Sequence, residues 1–368
     1  MRNNIRVIAM YLPQYHPFPE NDEWWGKGFT EWTNVAKAKP LFKGHYQPKI
    51  PADLGFYDLR LSEIRQQQAV LAQEAGINAF CYYEYWFGEG EEELDMPLRE
   101  VVNSGEPEFP FCLCWANESW YQKSWNRDGA IVDKKVLALQ RYPGDADIKA
   151  HFNARLHAFQ DHRYLKYNGK LIYIIYKPLD HPNVQGFIEL WQELAKEHGL
   201  PEFYFLGFSF LADTEGKQIL QKGFDGVISC RNNRDKIHNI AWLFRKVKSL
   251  ILHRPRIYSY KKVWPKLISN LERHDNHYIP VIMPNWDHTP RSGINGDVLK
   301  HATPKEFRKH CIDVICSVEK KENPLIFIKS WNEWGEGNYM EPDIKFGHGY
   351  INALRDAINS VYNEDYLR

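Results

Sequence analysis

The chain has 368 residues, enough to bury a large core. Lys plus Arg and Asp plus Glu both number 47, so the formal net charge is zero, which argues against a nucleic-acid backbone binder and fits a neutral partner better. Aromatic residues make up 15% of the chain, and no apolar run approaches membrane-spanning length.

The predicted elements alternate along the chain. Residues 5–11 read as a first strand, and 57–75 as a helix closed by Gly76. Residues 77–82 form the second strand, 96–102 a short helix and 111–115 the third strand. A helix over 146–159 follows, capped by Asp145. Then come strand 171–176, helix 184–198, strand 203–207, helix 215–221 and strand 226–229. Residues 278–283 are the seventh strand, 304–318 a helix capped by Thr303, 325–328 the eighth strand and 350–362 the closing helix.

Strand–helix alternation of this kind builds a parallel sheet with crossover helices, and eight units fit a (β/α)8 TIM barrel, an α/β fold. A doubly wound sheet is the rival, but no glycine-rich phosphate loop follows the first strand. The stretch 231–276, rich in Lys, Arg and His, is longer than one connection. It is expected to be a helical insertion between strands 6 and 7 of a single domain, with a solvated basic face. Six cysteines lack zinc or redox spacing and read as reduced structural thiols. The start of the chain carries no signal-peptide pattern, so the expectation is a cytoplasmic protein, with a periplasmic setting as the alternative if the natural chain starts earlier.

Function in a TIM barrel sits at the carboxyl ends of the strands. Those positions here are crowded with acids and indoles. After the first strand come Tyr15, His16, Trp25, Glu31 and Trp32. After the second come Tyr83, Glu84 and Trp86, and at the third Trp115, Asn117 and Glu118. The seventh supplies Trp286, Asp287, His288 and Arg291. The eighth runs into Trp331-Asn332-Glu333-Trp334-Gly335-Glu336. Two acids three residues apart, at the exit of a buried strand and between indoles, suit glycosidic-bond cleavage, in which one carboxyl donates a proton while the other stays ionised. For Glu118, orienting substrate hydroxyls and pairing with an arginine in the interior both stand. Glu31 and Glu84 read as structurally paired acids or substrate binders. Asp287 and Arg291 read either as substrate binders or as an ion pair within their own loop. His16 and His288 read as hydrogen-bonding residues of the site, since no metal-ligand spacing accompanies them. Tyr15, Trp25, Trp32, Trp86, Trp115 and Trp286 are candidates for stacking on sugar faces, against an all-core reading.

The pieces Tyr11 to His16, Gly28 to Trp32, Trp115 to Glu118, Trp286 to Arg291 and Trp331 to Gly337 together resemble the WbsX-type proteins, related to glycoside hydrolase family 99 of endo-acting α-mannosidases and mannanases. The resemblance implies a TIM barrel and a retaining glycosidase needing neither metal nor organic cofactor. Its partner would be an oligo- or polysaccharide, such as a bacterial O-antigen, a capsule or a precursor of one. It implies that Glu333 deprotonates the substrate 2-hydroxyl to form a 1,2-anhydro sugar, and that Glu336 protonates the leaving oxygen and then activates water. The hydrolases of that family carry His where this chain has Gly335, a departure that bears on substrate identity. A glycosyltransferase is the first rival; Asp145-Ala146-Asp147 has the spacing of a metal-binding pair but falls where a helix cap is expected. A non-catalytic sugar-binding barrel is the second.

Overall fold

The computed structural model describes residues 5–125, 131–231 and 251–362, together with Val247 and Ser249; side chains are described outside 123–134. Its parallel strands close into an eight-stranded barrel with helices outside. The strands are β1 (Arg6–Tyr11), β2 (Ala79–Gly88), β3 (Phe111–Trp115), β4 (Lys170–Ile175), β5 (Phe203–Ser209), β6 (Gly226–Ser229), β7 (Tyr278–Ile282) and β8 (Leu325–Ile328). The main helices are α1 (Ser62–Ala75), α2 (Met96–Ser104), α3 (Asp145–Gln160), α4 (Val184–Glu197), α5 (Ala212–Gln221), α6 (Pro304–Val318) and α7 (Gly349–Tyr362).

The chain groups into two compact units, Met1–Asn78 with Cys230–Arg368, and Ala79–Ser229. In the first unit β8 lies between β1 and β7, pairing Val7 with Ile326 and Val281 with Phe327. All four residues of β8 are fully buried. At about 2 kcal/mol for each such side chain, this short strand has strong reason to sit in the barrel wall. Helix α6 starts as its sequence demands: Thr303 accepts the Glu306 amide at 3.4 Å, and Pro304 takes the first turn, where its missing N–H costs nothing. Helix α1 ends at Gly76, whose φ of 84° is left-handed.

The second unit runs β2, β3, β4, β5 and β6 in parallel register, from Cys81 opposite Cys112 to Val227 opposite Gly207. Behind β4 and β5 lies an aromatic core. The Trp191 indole is fully buried, with ring centroids 4.5 Å from Tyr173, 4.6 Å from Phe187 and 5.4 Å from Phe203. Much of the unusual aromatic content is therefore packing.

Some elements differ from the expectation. Helix α1 begins at Ser62, not 57, because Asp58 turns the chain by accepting the Arg60 amide at 2.9 Å. Strand β2 continues to Gly88, so Tyr83, Glu84 and Trp86 lie within the strand, not after it. The sequence also hid the antiparallel hairpin of Trp120–Trp125 with Ile131–Ala138, whose polar run gives no apolar alternation. It hid two short helices after β1, Pro19–Trp25 and Glu31–Ala36. Of the stretch 231–276, residues 232–246, 248 and 250 lie outside the described residues. Arg256–Ser259 form a short strand parallel to Asp297–Lys300, followed by short helical turns.

Candidate active site

The carboxyl end of β8 passes from apolar Ile328 to Lys329 and Ser330, joined by a cis peptide bond, and then into the acidic motif. Asn332 anchors that motif. Its Oδ1 accepts the Leu12 amide at 2.7 Å and its Nδ2 donates to the Leu12 carbonyl at 3.0 Å, so one side chain pairs like a strand with the end of β1. Tyr15 adds a second anchor: its hydroxyl donates to the Asn332 carbonyl at 2.6 Å and accepts the Trp334 amide at 2.9 Å. Behind the motif, the Trp32 ring lies 4.5 Å from Tyr15 and 5.6 Å from Trp334, and Trp334 stacks on Tyr339 at 3.7 Å.

This frame brings Glu333 and Glu336 together. The Lys329 ammonium lies 2.7 Å from Glu333 Oε2 and 3.7 Å from Glu336 Oε2. Arg291 Nη1 lies 2.8 Å from Glu336 Oε1 and 3.5 Å from Glu333 Oε1, while its Nε donates to Glu31 at 3.1 Å. His288 Nε2 sits 3.5 Å from Glu336, with Nδ1 2.7 Å from the Ser292 hydroxyl. Three carboxylates thus share two basic side chains, and so close a cluster of acids titrates as a coupled set.

The surroundings drive the two proton affinities apart. Burial and the charge of Glu336 push Glu333 up, against the pull of Lys329 and Arg291. Burial also works against Glu336, but Lys329, Arg291 and the His288 hydrogen bond outweigh it and hold its carboxyl well below the usual range. The surroundings thus raise the proton affinity of Glu333 and lower that of Glu336, whereas the role the resemblance implies for Glu336 is proton donor. The Glu333 side chain is 8% exposed and Glu336 14%, while Arg291 at 23% and His288 at 28% open the cluster toward solvent.

Gly335 and Gly337 are dictated by this packing. A Cβ on Gly335 would lie 2.0 Å from Glu31 Oε2 and 3.0 Å from Arg291 Nε, so Glu31 occupies the space of a side chain at 335. Gly337 has φ +55°, and a Cβ there would meet Lys49 Nζ at 2.5 Å.

Other expected residues are placed differently. The ion pair between Asp287 and Arg291 does not form: Asp287 is held by His45 at 2.7 Å, Gln47 at 2.8 Å and Thr289 at 2.6 Å, and Arg291 turns to the glutamates. Glu84 is buried in the second unit, bonded to Arg155, His151 and Tyr173. Burial opposes its charge, yet Arg155 and His151 prevail and hold it at about 2. Glu118 is not an interior acid; its side chain is half exposed, 3.9 Å from Lys177. Asn117 grips the Lys177 backbone as Asn332 grips Leu12, accepting its amide at 2.7 Å and donating to its carbonyl at 2.9 Å.

Among the stacking candidates Tyr15, Trp32, Trp86 and Trp115 are buried. Trp86 lies against His151 and donates to Asp147 at 3.1 Å; Trp115 stacks on Phe187 and donates to the Trp86 carbonyl at 2.8 Å. Trp331, Trp334 and Tyr83 are buried too, as is His16, with Nδ1 3.1 Å from the Pro17 carbonyl oxygen. Trp25 is exposed and Trp286 half-buried, the latter with its ring 5.7 Å from the Lys329 ammonium. Asp147 spends its carboxylate on Trp86 and the Glu89 amide at 2.7 Å, which removes the acid pair of the transferase expectation from any visible site.

Lys329, His45, Gln47, Lys49 and Glu341 escaped the sequence reading. Lys329 had a signal, a lone cation ending an apolar strand four residues before Glu333. Glu341 had none: it lies beneath the motif, accepting from Trp334 Nε1 at 2.6 Å, Gln68 Nε2 at 2.6 Å and the Tyr57 hydroxyl at 3.0 Å.

A profile of the family described as "Glycosyltransferase WbsX" matches residues 7–354. The uncharacterized protein WxcX of Xanthomonas campestris pv. campestris, from two strains, is 34% identical over 359 residues, covering 96% of this chain and 49% of the relative. The chain thus spans about half the length of the curated relatives it matches. Among solved structures, a GH99 endo-alpha-mannosidase from Bacteroides thetaiotaomicron in complex with BIS-TRIS-Propane shares the fold, with TM-score 0.57 and 16% identity over 97% of both chains. A structure titled "Glycoside hydrolase-like protein" gives TM-score 0.58 and 15% identity over 96% of this chain and 94% of the other.

Proposed function

We propose that this chain, which belongs to the WbsX glycosyltransferase family, is a glycoside hydrolase that cleaves an α-linked glycan with retention, using Glu333 and Glu336. The substrate class is a bacterial surface polysaccharide or its precursor. The observation that carries this reading is the sharing of Lys329 and Arg291 by one buried and one largely buried carboxyl whose proton affinities are driven apart.

The reaction runs in two balanced steps. Glu333 takes the proton of the sugar 2-hydroxyl while that oxygen attacks the anomeric carbon. The bond to the leaving oxygen breaks, and that oxygen takes a proton from Glu336. The product is a 1,2-anhydro sugar. Glu336 then takes a proton from water attacking the anomeric carbon, the epoxide C–O bond breaks, and Glu333 returns its proton to O2. Two displacements give net retention. The productive state needs the proton on Glu336, against the direction in which burial, Lys329 and Arg291 set the two affinities in the free site. A 2-hydroxyl donating to Glu333 and a glycosidic oxygen accepting from Glu336 favour that state.

The family description motivates a second reading, in which a sugar hydroxyl replaces water in the second step and the enzyme transfers the glycan. Product analysis separates the two. Against a panel of α-linked glycans and aryl α-glycosides, Glu336→Gln is expected to lose several orders of magnitude with a sugar leaving group. Its first step should recover much of that with a good aryl leaving group, which needs no proton, while the water step stays slow. Glu333→Gln should stay inactive with both. Near-native turnover of either variant on a natural linkage would refute the roles.

A further inference from the structure

Beside the acidic motif, within the first unit, lies a cavity of about 200 Å³. That is below the roughly 300–1,000 Å³ of sites for drug-sized molecules, a scale suited to one small group. Its walls are basic and aromatic. Lys49 is only 7% exposed, and its ammonium donates to two uncharged acceptors, Asn285 Oδ1 at 2.8 Å and the Gly337 carbonyl at 3.0 Å. Lys300 stands over the Phe42 ring at 6.0 Å, and Lys345 over Tyr46 at 4.5 Å. No ion pair of these three lysines occurs among the described residues. The carboxylate in the lining, Asp287, is already saturated by His45, Gln47 and Thr289. Asp343 behind the wall is engaged by the Tyr339 hydroxyl and the Phe346 amide, each at 2.6 Å, so three lysines against the lining's Asp287 and this neighbour leave a local cationic excess.

We propose that this cavity binds an anionic group, a carboxylate or phosphate, carried by a sugar. A buried ammonium hydrogen-bonded only to neutral oxygens, with Asp287 and Asp343 acting on it from beyond ion-pair distance, gains from an incoming anion, and the half-buried Trp286 ring lies in the same wall. The cavity also abuts the acidic motif. The Gly337 carbonyl holds Lys49, the Asp287 amide donates to the Glu336 carbonyl at 2.7 Å, and Trp286 faces Lys329 as well. Given the glycan-cleaving reading above, the anion belongs to a residue or leaving group next to the bond that breaks. The chain therefore selects an acidic glycan over a neutral one. Glu333 and Glu336 do not line the cavity, so binding there is separable from catalysis.

The test is calorimetry with three probes: methyl glucuronide, glucose 1-phosphate and neutral methyl glucoside. At least one anionic probe should bind tenfold or more tightly than the neutral one, with affinity falling as ionic strength rises. Which anion binds identifies uronate or phosphate as the natural group. Lys300→Gln/Lys345→Gln, at partly exposed positions that leave the fold intact, should weaken that binding about tenfold. Glu333→Gln and Glu336→Gln should leave it unchanged. Equal binding of neutral and anionic probes, unchanged binding in the lysine double variant, or loss in Glu336→Gln would overturn the proposal. An enzyme that binds the anion but cleaves no glycan would refute the catalytic reading and leave this one standing.

Discussion

Gly335 offers the sharpest structural test, because its constraint comes from a side chain distant in sequence. A Cβ built there lies 2.0 Å from Glu31 Oε2, more than 1 Å inside ordinary contact. Gly335→Ala must therefore drive the Glu31 carboxylate away and break its 3.1 Å bond to Arg291. Losing a charge-assisted hydrogen bond costs about 1.5–3 kcal/mol, and overpacking a tight site about 1–3 kcal/mol. Together the expected destabilisation is about 4 kcal/mol. Glu31→Ala alone should cost about 2 kcal/mol, since Arg291 keeps Glu336 at 2.8 Å. In the double variant the methyl group has room, so it should be no less stable than Glu31→Ala, within about 0.5 kcal/mol. The assay is equilibrium urea unfolding of all four proteins, followed by tryptophan fluorescence. Additive losses would show that Gly335 and Glu31 do not compete for space and that the cluster is arranged otherwise.

Two further outcomes follow from buried polar groups. Burial pushes the Glu341 carboxyl up to about 7, although Trp334, Gln68 and Tyr57 donate to it. With a folded value above the unfolded 4.5, its stabilising contribution is complete below about pH 4.5 and lost as pH rises through 7, a change of about 3 kcal/mol. Glu341→Gln should flatten the stability profile between those values, measured by urea unfolding across pH; an unchanged slope would assign the pH dependence elsewhere. Asn332→Ala removes both bonds to the Leu12 backbone and leaves its buried amide and carbonyl unpaired. A loss of about 2–4 kcal/mol in the same assay is expected, and one below about 0.5 kcal/mol would contradict the clamp.

Much of the barrel was legible because its strands are short, branched and fully buried. Phe111–Trp115, Gly226–Ser229 and Leu325–Ile328 fall where periodicity puts them, as does the helix Pro304–Val318 with its Thr303 cap. The pairing of Glu333 with Glu336 was legible from a spacing of three between indoles. What sequence could not show were partners brought in from far along the chain. Arg291 looked like a mate for nearby Asp287, but the charges that need it are Glu31 and Glu336, 260 and 45 residues away. Trp86 and Trp115 looked like sugar platforms because indoles at strand ends are ambiguous between wall and core; their indole N–H groups, both spent on protein acceptors, decide for the core. Glu84 read as a loop acid because an ionised group inside a strand is improbable without a cation, and Arg155 arrives only through the fold.

The central claim is that Glu333 and Glu336 act on one saccharide through its 2-hydroxyl. The most direct measurement is a crystal of the chain soaked with a 1,2-epoxide-mimicking carbasugar. The account predicts the ligand beside the cluster, its O2 equivalent within hydrogen-bond reach of Glu333 and its anomeric position facing Glu336. A ligand seated elsewhere, or one that meets the two carboxyls in neither position, would contradict it.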